Sequence, residues 1–203
     1  MGQSENAKPE VTCGRPRSKR AREAIIQSAI ELIRIKPFNT LTVVEVAAKA
    51  CVSTATIYRW WRTKEDLLIE AVVERYANTL RFPASKSPLE SIRRQLINGA
   101  KFLTTAEGQL YLNFVTKGEL DPSQRETYYQ RFHLPLYTEF LGLIKQAIKK
   151  GELPKRTPAP LAYDLLNGPL FLRALLGDTG TISSAYINRM FNVAVAGLWE
   201  QFG

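Results

Sequence analysis

The stretch TVVEVAAKACVSTATIYRWWRTK, residues 42–64, decides how the chain folds. Thr42 and Glu45 stand three apart ahead of an apolar pattern, the spacing of a capping box that satisfies free N–H groups at a helix start. Val43, Val46, Ala47 and Ala50 then recur at i, i+3, i+4 and i+7, which makes one buried helix face. Small residues at 47, 48 and 50 let a second helix cross closely. The turn Ala50-Cys51-Val52 follows, and Ser53 is placed to cap the next helix. There Ile57 and Trp61 are four apart and face inward, while Thr54, Ala55, Tyr58, Arg59 and Arg62 lie on the opposite side. That outer face is hydroxyl-rich, aromatic and basic, which suits reading base edges and gripping phosphate. Thr63 and Asp66 repeat the capping spacing, so Lys64 sits in the first turn of a further helix, where amine and helix N-terminus both favour a phosphate. Two short helices with this turn read as a helix-turn-helix, whose second helix enters the major groove of double-stranded DNA.

Residues from about Gly14 to Tyr76 resemble the DNA-binding domain of the TetR/AcrR family of transcriptional regulators. The resemblance rests on the basic entry GRPRSKRAREAII at 14–26, TVVEVA at 42–47, ACVS at 50–53, TIYRWW at 56–61 and KEDLL at 64–68. It implies a DNA-binding set of Arg15, Arg17, Thr42, Ser53, Thr54, Ala55, Thr56, Tyr58, Arg59, Trp60 and Lys64. Within it, Arg59 and Thr56 would read or border bases; Tyr58, Trp60, Lys64, Thr42 and Arg17 would hold the backbone. Two positions depart from the family pattern. Cys51 stands where glycine is usual in the turn, and a positive φ is disfavoured for a residue with a side chain. Trp60 stands where the family often has histidine.

At 203 residues and 22.9 kDa the chain is long enough for one or two compact modules with a real core. The formal charge is +9 and the sequence pI about 9.7. Up to residue 81 there are 14 Lys/Arg against 9 Asp/Glu, and beyond it 14 against 10, so the excess is global. Its densest run is local: Arg15, Arg17, Lys19, Arg20 and Arg22, of the kind that attracts a polyanion with salt-dependent affinity. A solvated basic tail has the same composition. Cys13 and Cys51 form no CxxC pair and the chain has one histidine, so neither a zinc site nor another cofactor is expected. Unpaired cysteines fit a reducing cytoplasm. Residues 1–14 read as a polar flexible leader without the apolar core of a signal peptide. The most apolar run, 161–176, is broken by Asp164, Asn167 and Arg173, short of the ~20 residues that span a bilayer. No membrane partner is expected.

The patterns predict an all-α chain: a helix-turn-helix domain over 15–81, joined by the hinge FPASKSP at 82–88 to a helical domain over 87–203, which the resemblance implies is an effector-binding and dimerisation domain. The first helix is expected over about 18–35, with Ile25, Ala29, Leu32 and Ile33 inward, and a fourth from Lys64 to about Leu80. Ser87, Pro88 and Glu90 open a fifth, and a sixth covers about 106–117. Asp121-Pro122 opens a long one to Lys150 with a kink at Pro135, and two more fall at about 158–176 and 181–200.

The second half resembles the regulatory domain of the same family through KQAIKKGEL at 145–153 and NGPLFLR at 167–173. The resemblance implies a small-molecule effector, of unknown identity, and a homodimer built by the last two helices. Those helices are apolar on more than one face, with Leu166, Leu170, Phe171, Ala174, Leu175, Phe191, Ala194, Val195 and Leu198 as the candidate dimer contacts. A partner subunit would cover them across a two-fold axis, and a central core position would explain the same pattern. Phe102, Phe114, Tyr128, Phe132, His133 and Tyr137 are the candidate effector contacts, pointing to an apolar or aromatic compound, neutral or cationic. Aromatics at helical spacing also serve as plain core. No GxSxG, HExxH or glycine-rich phosphate loop is present, so no enzyme is expected. The reading that results is a ligand-responsive repressor binding a palindromic operator as a homodimer. A sequence-independent nucleic-acid binder and a helical small-molecule or protein-interaction module are the alternatives.

Overall fold

The computed structural model describes residues 15–37, 40–116 and 121–203; the side chains of 15–18, 76–79, 113–116 and 179 fall outside that description. Every described regular element is helical. The order is α1 (Arg15–Ile33), α2 (Val43–Lys49), α3 (Thr54–Tyr58), α4 (Lys64–Leu80), α5 (Pro88–Leu103), α6 (Ala106–Thr116) and α7 (Pro122–Tyr128). A π-helical turn at Tyr129–His133 leads into α8 (Leu134–Lys149), followed by α9 (Ala159–Leu175), a 3-10 turn at Thr179–Thr181 and α10 (Ser184–Phe202).

Helices α1 to α4 form the first packed unit. Ile25, Ala29, Leu32 and Ile33 from α1 meet Val43, Val46 and Ala47 from α2, Ile57 and Trp61, and Leu67, Leu68 and Ala71 from α4, all buried. Helix α1 starts at Arg15 and stops at Ile33, two residues short of the expected end. The stop has a local cause: the N–H groups of Ile35 and Lys36 both turn back to the Leu32 carbonyl, and Pro37 disfavours helix just ahead of itself.

Three helices end in the same device. After α2, the Cys51 N–H reaches the Ala48 carbonyl at 3.2 Å and the Val52 N–H reaches that of Ala47 at 3.0 Å, the paired bonds of a Schellman ending. Gly151 and Gly177 occupy the equivalent place after α8 and α9 with φ of 73° and 76°. At the first ending it is Cys51 that takes φ 53°, the departure from glycine anticipated above. Its thiol is free and exposed.

The second unit is α5 to α10, with Ile92, Leu96, Phe140, Ile144, Leu166, Leu170, Ile187 and Phe191 in its core. Gly108 is required where α6 begins, because a Cβ there would lie 2.0 Å from the Phe102 carbonyl oxygen. At the start of α5 the Ser87 hydroxyl accepts from the Glu90 N–H as expected, but Glu90 does not close a capping box. Glu152, from the loop after α8, takes that place, accepting from the Ser87 hydroxyl at 2.8 Å and from the Leu89 N–H at 3.0 Å.

The long helix expected from Pro122 to Lys150 is not continuous. Pro135 has no N–H to give and its ring crowds the preceding turn, and the chain widens just before it, with the Leu134 N–H bonded to the Tyr129 carbonyl. The interruption therefore lies at 129–133 and not at the proline itself.

Replacing Cys51 by glycine removes the left-handed strain of a residue with a side chain, about 1 kcal/mol. Thermal unfolding of Cys51→Gly should come roughly 2–4 °C higher than wild type, and Cys51→Val should come lower.

Candidate nucleic-acid interface and ligand cavity

The helix-turn-helix is assembled from short pieces fixed at their ends. Thr42 and Glu45 make the reciprocal box, with Thr42 N–H to Glu45 Oε2 at 3.0 Å and Glu45 N–H to Thr42 Oγ1 at 3.3 Å. The Lys36 ammonium, and after it the Thr42 N–H, hold the Glu45 carboxyl below its ordinary pKa. Ser53 Oγ accepts from the Thr56 N–H at 3.2 Å, and Thr63 and Asp66 close a second box at 3.1 Å in each direction.

Helix α3 hides Ile57, and Trp61 just beyond it, while Ala55, Tyr58, Arg59, Trp60 and Arg62 are exposed together. Tyr58 is 55% and Trp60 44% exposed, large apolar surfaces left open to solvent beside two guanidinium groups. Thr54, Thr56 and Lys64 are half-buried at the border of this face, and Ser53 and Thr42 are exposed at its two ends. Of the eleven expected contacts, Thr42, Ser53, Ala55, Tyr58, Arg59 and Trp60 are exposed and Thr54, Thr56 and Lys64 half-buried; the side chains of Arg15 and Arg17 lie outside the described residues. Arg22, the last of the basic run, is a correction. Its guanidinium is bound by Glu70 and Glu74 of α4, the latter at 2.7 Å, and is engaged inside the unit.

In the second unit a cavity of ≈ 70 Å³ is lined by residues that include Phe102, Tyr111, Phe132, His133, Phe140, Tyr163 and Asn167. Of the expected effector contacts, Phe102, Phe132 and His133 line it. Tyr128 and Tyr137 stand outside the lining: Tyr128 hydrogen-bonds the buried Tyr111 hydroxyl, and Tyr137 stacks on His133 at 5.9 Å. The side chain of Phe114 lies outside the described residues. Sequence reasoning missed Tyr111, Phe140, Tyr163 and Asn167. Asn167 alone left a signal, as one of the three polar breaks in the apolar run 161–176 and the one that is buried. Among the described residues, no Asp, Glu, Lys or Arg lines the cavity. Burial pushes the Tyr163 hydroxyl up to about 12 and the Tyr111 and Tyr128 hydroxyls higher still, so these phenols stay protonated. Burial also lowers the pKa of His133, which keeps it neutral at physiological pH.

The dimer contacts need correction as well. Leu166, Leu170, Ala174, Phe191 and Leu198 are buried inside the subunit, where no partner can reach them. Phe171, Ala194 and Val195 are half-buried, and only Leu175 of the set is exposed. The exposed apolar residues here are Leu161, Leu165, Leu172 and Leu175 on α9, Leu176 just past its end, and Val193 and Trp199 on α10. Both faces of these helices are apolar, so periodicity could not say which one turns inward.

A helix-turn-helix with an exposed aromatic and basic face, carried by a larger helical unit with a neutral cavity, defines a DNA-binding regulator with a ligand-binding domain. Residues 25–71 match the family model described as bacterial regulatory proteins, tetR family, and residues 82–194 match the tetracyclin repressor-like C-terminal domain. The chain is 33% identical over 186 residues to the HTH-type transcriptional regulator YdeS of Bacillus subtilis (strain 168), covering 91% of this chain and 93% of that one. Its fold is similar to the TetR family transcription regulator SCO0332, with TM-score 0.74, 21% identity and coverage of 88% of this chain and 98% of that one. It is also similar to the regulator FadR of Bacillus subtilis in complex with stearoyl-CoA, with TM-score 0.62, 20% identity and coverage of 86% and 98%. The chain belongs to the TetR family of transcriptional regulators. Among the described residues, no helix is long and apolar enough to cross a membrane.

His133 is the one histidine of the chain, which makes its titration separable from other groups. Its folded pKa lies below the ordinary 6.5, so the unfolded chain binds the proton more readily. The stability this gives is complete above pH 6.5 and is lost as pH falls from there through the lowered folded value. Melting curves from about pH 7.5 to about pH 5 should therefore show a steeper loss for wild type than for His133→Phe.

Proposed function

We propose that the protein is a ligand-responsive repressor that binds a palindromic operator as a homodimer, with residues 15–81 reading DNA and 87–203 sensing and dimerising. The observation that carries this reading is the joint exposure of Tyr58, Arg59, Trp60 and Arg62 on a helix whose other side is buried. A lone five-residue helix reads few bases, and a two-fold pair placing two of them in successive major grooves about 34–36 Å apart reads enough for specificity. Arg59 and Thr56 are the proposed base contacts, flanked by phosphate contacts from Tyr58, Trp60, Lys64, Thr42 and Arg17.

The outward leucines of α9 and the Val193–Trp199 stripe of α10 support the dimer. Leu172 is 57% and Val193 68% exposed, costly surfaces unless a second subunit covers them. Gly168, exposed in the middle of the α9 stripe with open space at its Cβ, permits close approach of a partner helix.

The effector is an uncharged, largely apolar or aromatic molecule. A charge in this lining would meet no opposite charge, and an unpaired buried ion is strongly disfavoured. The similar regulator FadR is found in complex with stearoyl-CoA, whose long acyl chain, unlike its charged CoA group, is the kind of apolar surface this lining accepts. A cavity of ≈ 70 Å³ is well below the ~300–1,000 Å³ of drug-sized sites, so binding must push its walls apart. That displacement is what would lower operator affinity, since the ligand then favours one conformation over the other.

Selection from a random duplex pool at near-physiological salt should return one inverted repeat. Arg59→Ala should then cost about 1–3 kcal/mol and relax one base position in each half-site; an unchanged site preference would remove Arg59 from the reading set. Leu172→Glu with Val193→Glu should give a folded monomer by sedimentation and a large loss of operator binding. A persistent dimer would place the interface elsewhere.

A further inference from the structure

Trp61 closes the DNA-reading unit, and its position is set by α4. Its Nε1–H donates to Glu70 Oε2 at 3.0 Å, and the Arg22 guanidinium lies 5.9 Å over its ring. Arg22 is itself fixed by Glu70 and Glu74. One carboxylate thus holds the indole by its edge and also the cation that covers its face.

Glu70 has a third partner from the other half of the molecule. Arg131 Nη1 lies 3.7 Å from Glu70 Oε2 across a cleft of ≈ 540 Å³ that separates α7 and the π-helical turn from the DNA-reading unit. A second tether crosses the same cleft, from Gln124 Nε2 to Thr63 Oγ1 at 3.0 Å. Arg131 belongs to the π-helical turn, and its next two residues, Phe132 and His133, line the small cavity. Phe132 also walls the cleft, so its ring borders both spaces. Pushing Phe132 or His133 outward moves the backbone that carries Arg131. Widened turns of this kind recur at functional sites, because the looser ladder shifts more easily than an α-helix.

We propose that Glu70 is the positioning residue of the DNA-reading helix, and that Arg131 makes its hold depend on the state of the ligand cavity. The second half of this statement rests on the ligand-responsive reading above. An ion pair as open as Glu70–Arg131 adds little to global stability. Its removal should therefore show in α3 and not in the melting temperature.

Backbone hydrogen exchange on the full chain tests this without an operator. Arg131→Ala should speed exchange at residues 57–61 roughly threefold or more while α9 and α10 keep wild-type rates. Arg131→Lys should restore much of the protection. Glu70→Gln keeps an acceptor for Trp61 but removes the charge that draws Arg131, so Arg131→Ala should add nothing in that background. On an operator from the random-pool selection, Arg131→Ala should weaken binding about three- to tenfold despite lying outside the DNA-reading face. Wild-type exchange at 57–61 in Arg131→Ala, or effects that add with Glu70→Gln, would overturn the proposal. If Glu70→Gln does not fold, the Arg131→Ala and Arg131→Lys pair decides alone. If no operator is recovered, the repressor reading fails while the exchange experiment still decides this one.

Discussion

The burial of Ile57 and Trp61 in the core shared by α1, α2 and α4 is the contact on which the DNA-reading surface depends. Helices of seven and five residues, such as α2 and α3, do not hold together on their own, because the cost of nucleating a helix is not recovered over so few hydrogen bonds. What stabilises them is the apolar side of each, pressed on longer neighbours, with side-chain caps satisfying their ends. Since α3 is so short, its inward side chains fix nearly every degree of freedom of its outer face. Arg59 and Tyr58 point outward because Ile57 and Trp61 are committed inward.

Polar contacts add direction to that packing. Most of the ion pairs are partly open to solvent, as between Lys49 and Glu31 at 2.9 Å, and contribute little individually. The pair Arg34–Glu107 is different, because the Glu107 side chain is 4% exposed while bonded to Arg34 Nε at 2.5 Å. It joins the end of α1 to the first turn of α6. A buried carboxylate needs such charge-bearing partners, so the contact helps to set how the two units meet. The tethers at Thr63 and Glu70 join the same two units.

The cavity and the outer apolar stripes divide the labour of the second unit. Its interior is filled by Phe140, Ile144, Leu166 and Phe191, leaving a small neutral space under an aromatic roof of Tyr111, Phe132 and Tyr163. Edge-to-face contacts such as Phe140–Tyr163 at 5.1 Å and Tyr137–Tyr163 at 4.8 Å stabilise this roof without charge. The same helix, α9, supplies both the cavity wall, through Tyr163 and Asn167, and the exposed leucine stripe on its far side.

Local physics determined much of this chain. Capping spacings placed the starts of α2, α3, α4 and α5 from four-residue windows, and the inward sides of α1, α2 and α3 followed from periodicity, because a polar residue beside each apolar one marks the outside. The exposed aromatic and basic side of α3 was legible for that reason. Tertiary structure decided the rest. Which apolar face of α9 and α10 turns inward depends on what packs against them, so Leu166 and Leu198 went to the core and Leu172 and Val193 to the surface. Glu152 took over the capping of α5 from Glu90 because the loop after α8 brings a better-placed carboxylate. Arg22 left the basic run for Glu70 and Glu74, partners 48 and 52 residues away along the chain. No local pattern encodes a meeting over such separations; it exists only once the helices have packed.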